Sequence, residues 1–162
     1  AEKVVELADG KIVNDKKIKL RITTPRGLKF DVVADMVIMR CIDGNLGVLY
    51  GHEPVSTILG EGILRIINDR LVTKLAVFGG IAEIGPNYVN IFTTIAQRPE
   101  EIDLERAQRD RELAEAAIRE KEEDMQIHSA RALLHRALVR IDVSLHIDDY
   151  EDFEEQIKDN DI

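Results

Sequence analysis

From Ile18 to about residue 94 the chain is patterned in steps of two; beyond Pro99 the step lengthens to three and four. Ile18, Leu20 and Ile22 alternate with Lys19, Arg21 and Thr23, which predicts a strand with one buried face. Pro25-Arg26-Gly27 closes it with a turn. Short β-rich runs follow at 28–34, 36–42, 55–59, 63–67, 71–78 and 88–94. Turn residues separate them at Asp43-Gly44-Asn45, Gly60-Glu61-Gly62, Asn68-Asp69 and Gly85-Pro86-Asn87. Many short strands with close turns predict an antiparallel sandwich or flattened barrel. No long helical pattern interrupts them, which argues against parallel β-α-β winding.

Residues 102–141 contain neither glycine nor proline, although the chain holds ten glycines and four prolines. Those two residues are the strongest helix breakers, so helix is the reading that remains. Ile127, Ala130, Leu134, Ala137 and Ile141 paint one apolar stripe; Leu113, Ala114, Ala117 and Ile118 make a weaker one. Between them, Arg119-Glu120-Lys121-Glu122-Glu123-Asp124 has nothing apolar to bury, which marks a turn without forbidding a continuous rod. The fold class is therefore α+β, strands first and helices last, joined at Gln97-Arg98-Pro99-Glu100. It divides into an N-terminal extension (1–16), a β-sandwich (17–98), a helical hairpin (99–143) and an acidic tail (144–162). The first 15 residues are polar and read as a loosely attached, unstructured extension. Ile147, Tyr150, Phe153 and Ile157 permit a short helix in the tail, but its acidity favours a solvated segment.

The charge sharpens this division. Of the net −9, eight acids against one base lie from Ser144 onward, leaving 23 acids and 21 bases, or −2, for the body. No basic surface recommends a nucleic acid partner. No apolar run spans a membrane and none at the N-terminus reads as a signal peptide. Cys41, the one cysteine, cannot form an internal disulfide and fits a reducing compartment; with Met36 and Met39 it sits on a strand pattern, as core or near-core filler.

The run from Asp43 to Pro54 holds the candidate chemistry of the β region. It opens like a calcium loop but lacks the later ligands. Asp43, His52 and Glu53 suit an acid–base set in type, without an accompanying nucleophile. The plainer readings are a tight turn using Gly44, Gly47 and Gly51, or a partner-binding loop.

The run Gly44-Asn45-Leu46-Gly47-Val48-Leu49-Tyr50-Gly51-His52-Glu53-Pro54, then Gly62-Ile63-Leu64-Arg65-Ile66, resembles the epsilon subunit of bacterial F-type rotary ATP synthases. So do Phe78-Gly79-Gly80 with Glu83, residues 89–96, and Ile102-Asp103-Leu104-Glu105-Arg106-Ala107 leading into the helices. The resemblance covers about residues 17–143; the extension and acidic tail depart from it. It implies a β-sandwich with a helical hairpin, in a non-catalytic rotor subunit peripheral to the cytoplasmic face of the bacterial membrane. The sandwich would bind the gamma shaft and the membrane ring of c subunits, with Asn45, Tyr50, His52 and Glu53 as contacts. The helices would restrain ATP hydrolysis.

No cofactor is required, with ATP as an optional regulatory ligand. Ile102-Asp103 with Arg106-Ala107 is similar to the family's ATP-binding motif. Arg136 and Arg140, four apart, emerge on one helix face and suit a triphosphate alongside Arg106. Gln97 stands where ATP-binding relatives often carry Glu, and Leu113 where a further Arg would help. The competing reading makes Asp103 a helix cap and the arginines surface ion pairs. In the family's extended state the last helix meets the alpha/beta catalytic head, and Arg131, Arg136 and Arg140, with His128 and His135, supply a basic face for that. A stand-alone nucleotide sensor of the same architecture is the alternative, and an acid–base enzyme a third reading.

Overall fold

The computed structural model describes residues 4–6, 12–14, 16–120, 124–145 and 149–150. Two short strands, β1 (Val4–Glu6) and β2 (Ile12–Asn14), pair antiparallel within the extension, where the polar sequence predicts no regular structure. The main sheet holds β3 (Ile18–Thr24), β4 (Gly27–Ala34), β5 (Met36–Cys41), β6 (Gly44–Leu49), β7 (Val55–Asn68), β8 (Leu71–Ile84) and β9 (Tyr88–Phe92). Their order is β4-β3-β9-β8-β7-β5-β6, and β10 (Ala96–Gln97) and β11 (Asp149–Tyr150) add to β8. Ile18, Leu20 and Ile22 of β3 share one buried cluster with Val37, Met39 and Val48 of β5 and β6. Those strands lie far apart in the sheet order, so the sheet folds over on itself into a sandwich around that core.

The fold-over corrects several sequence expectations. The 55–59 and 63–67 runs are one 14-residue strand, and Gly60-Glu61-Gly62 is a bend inside it. The partner strand β8 bends at the same level: Leu59 pairs with Gly80 and Glu61 with Phe78. Gly79 and Gly80 have φ of 80° and 126°, a region closed to most residues, and a Cβ on Gly80 would collide with the Phe92 carbonyl. The buried Thr93 hydroxyl holds the bend by donating to the Gly79 carbonyl at 2.7 Å. The sandwich is also not wholly antiparallel, because β3 runs parallel to β9. Finally, β6 forms where a loop was expected, pairing with β5 from Met36↔Leu49 to Cys41↔Gly44.

Beyond β10 a 3₁₀ turn (Pro99–Glu101) leads into α1 (Leu104–Glu120) and α2 (Asp124–Leu145). The hairpin alternative is the one observed; residues 121–123 lie outside the described residues. Ala107 and Ala114 of α1 and Ala130 and Ala137 of α2 are buried, small side chains that let the helices pack closely. The joint is tied to the sandwich: Lys29 donates to the Ala96 carbonyl and pairs with Glu101 at 2.6 Å, and the Arg98 guanidinium lies 4.3 Å over the Phe30 ring. Beyond α2, β11 pairs Asp149 with Val72 and Tyr150 with Leu71. The rest of the tail, including the helix pattern through Phe153 and Ile157, lies outside the described residues.

Candidate functional site

Alternation on a strand pair puts every second residue on one face. On β7 and β8 the cross-strand pairs Glu61–Phe78, Ile63–Ala76 and Arg65–Lys74 therefore share the outer face of the sandwich. α2 lies along this face. Its centre is apolar, with Val139 and Val143 buried against Ala76 and Phe78, and with Ile63 and Ile102 packed beside them. Its ends are ionic. Arg136 donates from Nε and Nη2 to Glu61 Oε1 at 3.0 and 2.8 Å, and Lys74 lies 3.9 Å from Asp142. His135 adds a hydrogen bond from Nε2 to the Glu61 carbonyl at 2.7 Å.

Two of the arginines proposed from the sequence, Arg136 and Arg140, meet here. Arg140 donates from Nε to Gln97 Oε1 at 3.0 Å and stacks 4.5 Å over the Phe78 ring. Burial pushes its guanidinium below the usual arginine range; the charge of Asp110 opposes this, while Arg136 and Arg106 push further down. The hydrogen bonds Arg136 donates to Glu61, reinforced by the carboxylate's charge, hold Arg136 above its ordinary value. Asp103 caps α1: Oδ1 accepts from the Arg106 amide at 3.1 Å and its carbonyl from the Ala107 amide at 3.0 Å. Ile102 is half-buried under α2, and Ala107 is buried between the helices. Leu113 is 65% exposed and lines a groove at the far end of the hairpin. Arg131 and His128 are exposed on α2, outside the cluster.

The second set of sequence candidates is only partly gathered. Asn45, on β6 and not in a loop, joins Asp43, His52, Glu53 and Ser56 in lining an open groove of about 620 Å³. His52 Nδ1 donates to the Glu53 carbonyl at 2.7 Å, which fixes its ring. Tyr50 is exposed but does not line the groove. Among the described residues no cluster of acids, histidines or cysteine has the arrangement of a metal site.

Comparison with known proteins decides the family. Residues 17–99 match the model described as ATP synthase, Delta/Epsilon chain, beta-sandwich domain; residues 100–144 match its long alpha-helix domain. The chain belongs to the ATP synthase delta/epsilon chain family. The "ATP synthase epsilon chain" of Shouchella clausii is 34% identical over 129 residues, covering 80% of this chain and 96% of that relative. The chloroplastic epsilon chain of Helianthus annuus is 36% identical over 126 residues, covering 77% and 94%. Among solved structures, a chain of the Euglena gracilis mitochondrial ATP synthase (OSCP/F1/c-ring, rotational state 1) aligns with a TM-score of 0.68 at 26% identity, covering 90% of each. A chain of the Tetrahymena thermophila central stalk/c-ring shares the fold, with a TM-score of 0.53 at 12% identity.

As an epsilon-type subunit of the central stalk the chain is not itself an enzyme, and the acid–base reading of Asp43, His52 and Glu53 falls with that. Among the described residues no helix is long and apolar enough to cross a membrane.

In this epsilon-family chain, sequence reasoning missed an exposed apolar row. Ile58 pairs with Ile81, and Ile81 with Phe92, and the three are 56%, 51% and 46% exposed. Ile42, whose amide bonds the Ile58 carbonyl, extends the row. The signal was present in the sequence: Ile58-Leu59 and Ile81-Ala82 are apolar on both faces of their strands, whereas a solvated face would alternate.

Proposed function

We propose that the sandwich couples the gamma shaft of an F-type ATP synthase to its membrane ring, and that the hairpin restrains ATP hydrolysis when it leaves the sheet. The Ile58–Ile81–Phe92 row carries the first half. Three large apolar side chains in register on a sheet face mark a surface that a partner covers. The groove at Asn45, His52 and Glu53 mixes polar and apolar lining in equal measure and suits the second contact, to the ring. On this reading the chain sits at the membrane face that bears the catalytic head, the cytoplasmic face in a bacterium. Replacing Ile58 and Ile81 together by Asp tests the first half. The isolated chain stays folded, and its association with gamma is lost; retained association would reject this surface.

The seam under α2 supports the regulatory half. Full burial of a large aliphatic side chain is worth roughly 1.5–3 kcal/mol, and few such groups hold α2 on the sheet. Docking is therefore marginal once the ordering of the helices is counted. ATP, bound by Arg106, Arg136 and Arg140, favours the compact hairpin. A ligand at about 100 times its Kd adds about 2.7 kcal/mol to the state it binds, enough to tip such a balance. The same Arg136 and Arg140, with Arg131, meet the alpha/beta head when released, so the two uses exclude each other. Calorimetric titration of the isolated chain tests the ATP site. Binding that weakens in Arg140→Ala is expected; no binding at millimolar ATP rejects it.

A further inference from the structure

The geometry points to Glu61 as an internal anion that latches Arg136 in the ligand-free chain, so that a phosphate-bearing ligand must compete with it for the guanidinium. This rests on the nucleotide reading of the arginine cluster for its second half, but not for its first. Glu61 reaches α2 twice. Its carboxylate takes two N–H groups of Arg136 at 3.0 and 2.8 Å, and its carbonyl takes His135 Nε2 at 2.7 Å. Both contacts come from the bend in β7, where Glu61 lies directly opposite Phe78, the ring that carries Arg140. Two arginines one helical turn apart are thus held by two residues facing one another across a strand pair.

The charges explain why this matters to a ligand. Two guanidinium groups, Arg136 and Arg140, stand one helical turn apart, with the Glu61 carboxylate on the first. Like charges so placed repel, and Glu61 relieves that repulsion from the sandwich side, across the seam and not within the hairpin. A polyphosphate offers the same acceptor chemistry, so it and the Glu61 carboxylate cannot both use the same two N–H groups. Glu61 therefore does two opposing things: it stabilises the docked helix without ligand, and it lowers the affinity of the cluster for an anion. An ion pair whose side chains are 47% and 30% exposed is screened, so both effects are modest.

Glu61→Gln keeps the shape and removes the charge. Amide hydrogen exchange of α2 in the ligand-free full chain reads the latch, and titration with ATP and with inorganic tripolyphosphate reads the competition. Exposed Glu100→Gln serves as the control. Faster α2 exchange and tighter binding of both probes, each by about two- to fivefold, are expected in Glu61→Gln. Unchanged α2 exchange overturns the latch. Wild-type chain that binds ATP, with Glu61→Gln binding it no more tightly, overturns the competition while leaving the nucleotide reading intact. If neither protein binds either probe, the nucleotide reading and the competition both fail, and exchange alone decides the latch. Tripolyphosphate binding without ATP binding makes the cluster an anion site; the competition stands if Glu61→Gln binds tripolyphosphate more tightly and falls if it does not.

Discussion

The Lys74 ammonium, only 8% exposed, lies 3.9 Å from the Asp142 carboxylate where α2 crosses the outer face of the sheet. Burying a cation is costly unless an anion faces it, so the two partners respond differently to removal. Asp142→Asn leaves the buried cation poorly compensated and destabilises docking by about 1–3 kcal/mol, the half-exposed carboxylate limiting the cost. Lys74→Met leaves a half-exposed acid beside an apolar side chain and costs less, within about 1 kcal/mol of neutral. Hydrogen exchange of α2 in the two variants checks the asymmetry; equal losses would contradict it.

The apolar centre of the seam predicts a second contrast. Val143 is fully buried against the sheet, whereas Leu138 is 45% exposed although it is the larger residue. Val143→Ala removes two buried carbons and leaves a gap, costing about 2 kcal/mol. Leu138→Ala costs less than about 1 kcal/mol. Urea unfolding of the isolated chain, followed by helical circular dichroism, measures both.

Two raised pKa values fix the alkaline limb of stability. Burial alone pushes the Lys17 ammonium down, but bonds to Asp35 and Asp69, at 2.7 and 3.0 Å, outweigh it and hold the group above 10.5. Burial pushes the Cys41 thiol above its ordinary 9.0, against an opposing hydrogen bond from Thr57. In each case the folded chain keeps its proton to higher pH than the unfolded chain, so stability falls as pH rises. These contributions are intact below about pH 9, and are lost as the pH climbs through the folded values. Cys41→Ala flattens the first part of the decline and Lys17→Met the part beyond about pH 10.5. Denaturation midpoints between pH 8 and about 11.5 check this; unchanged slopes would contradict it.

Period-2 and period-3.6 patterning made the strands, the helices and their order legible, because each element buries one face. The errors came where local signals conflict with long-range pairing. Gly60-Glu61-Gly62 looks like a turn between strands, but the same glycines bend a strand that stays paired with β8. The parallel β3–β9 pair joins residues some 70 positions apart, which no local pattern reports. At the site, the i,i+4 spacing of Arg136 and Arg140 was readable, while the cap observed at Asp103 is what the competing reading of that residue predicts. Glu61 and Lys74 were not readable, since their partners lie on another domain. Val139 and Val143 fall off the stripe that faces α1, so a single-stripe reading of α2 misses its second buried face.

The division of labour between sandwich and hairpin is tested most directly by ATP hydrolysis in the assembled synthase, with the full chain or with one ending after Gln97. That end point keeps β10 on the sheet and removes the joint, α1 and α2. The shortened chain should still assemble, with hydrolysis faster than in the intact complex. Hydrolysis at the intact rate, or loss of the subunit from the complex, would contradict the assignment.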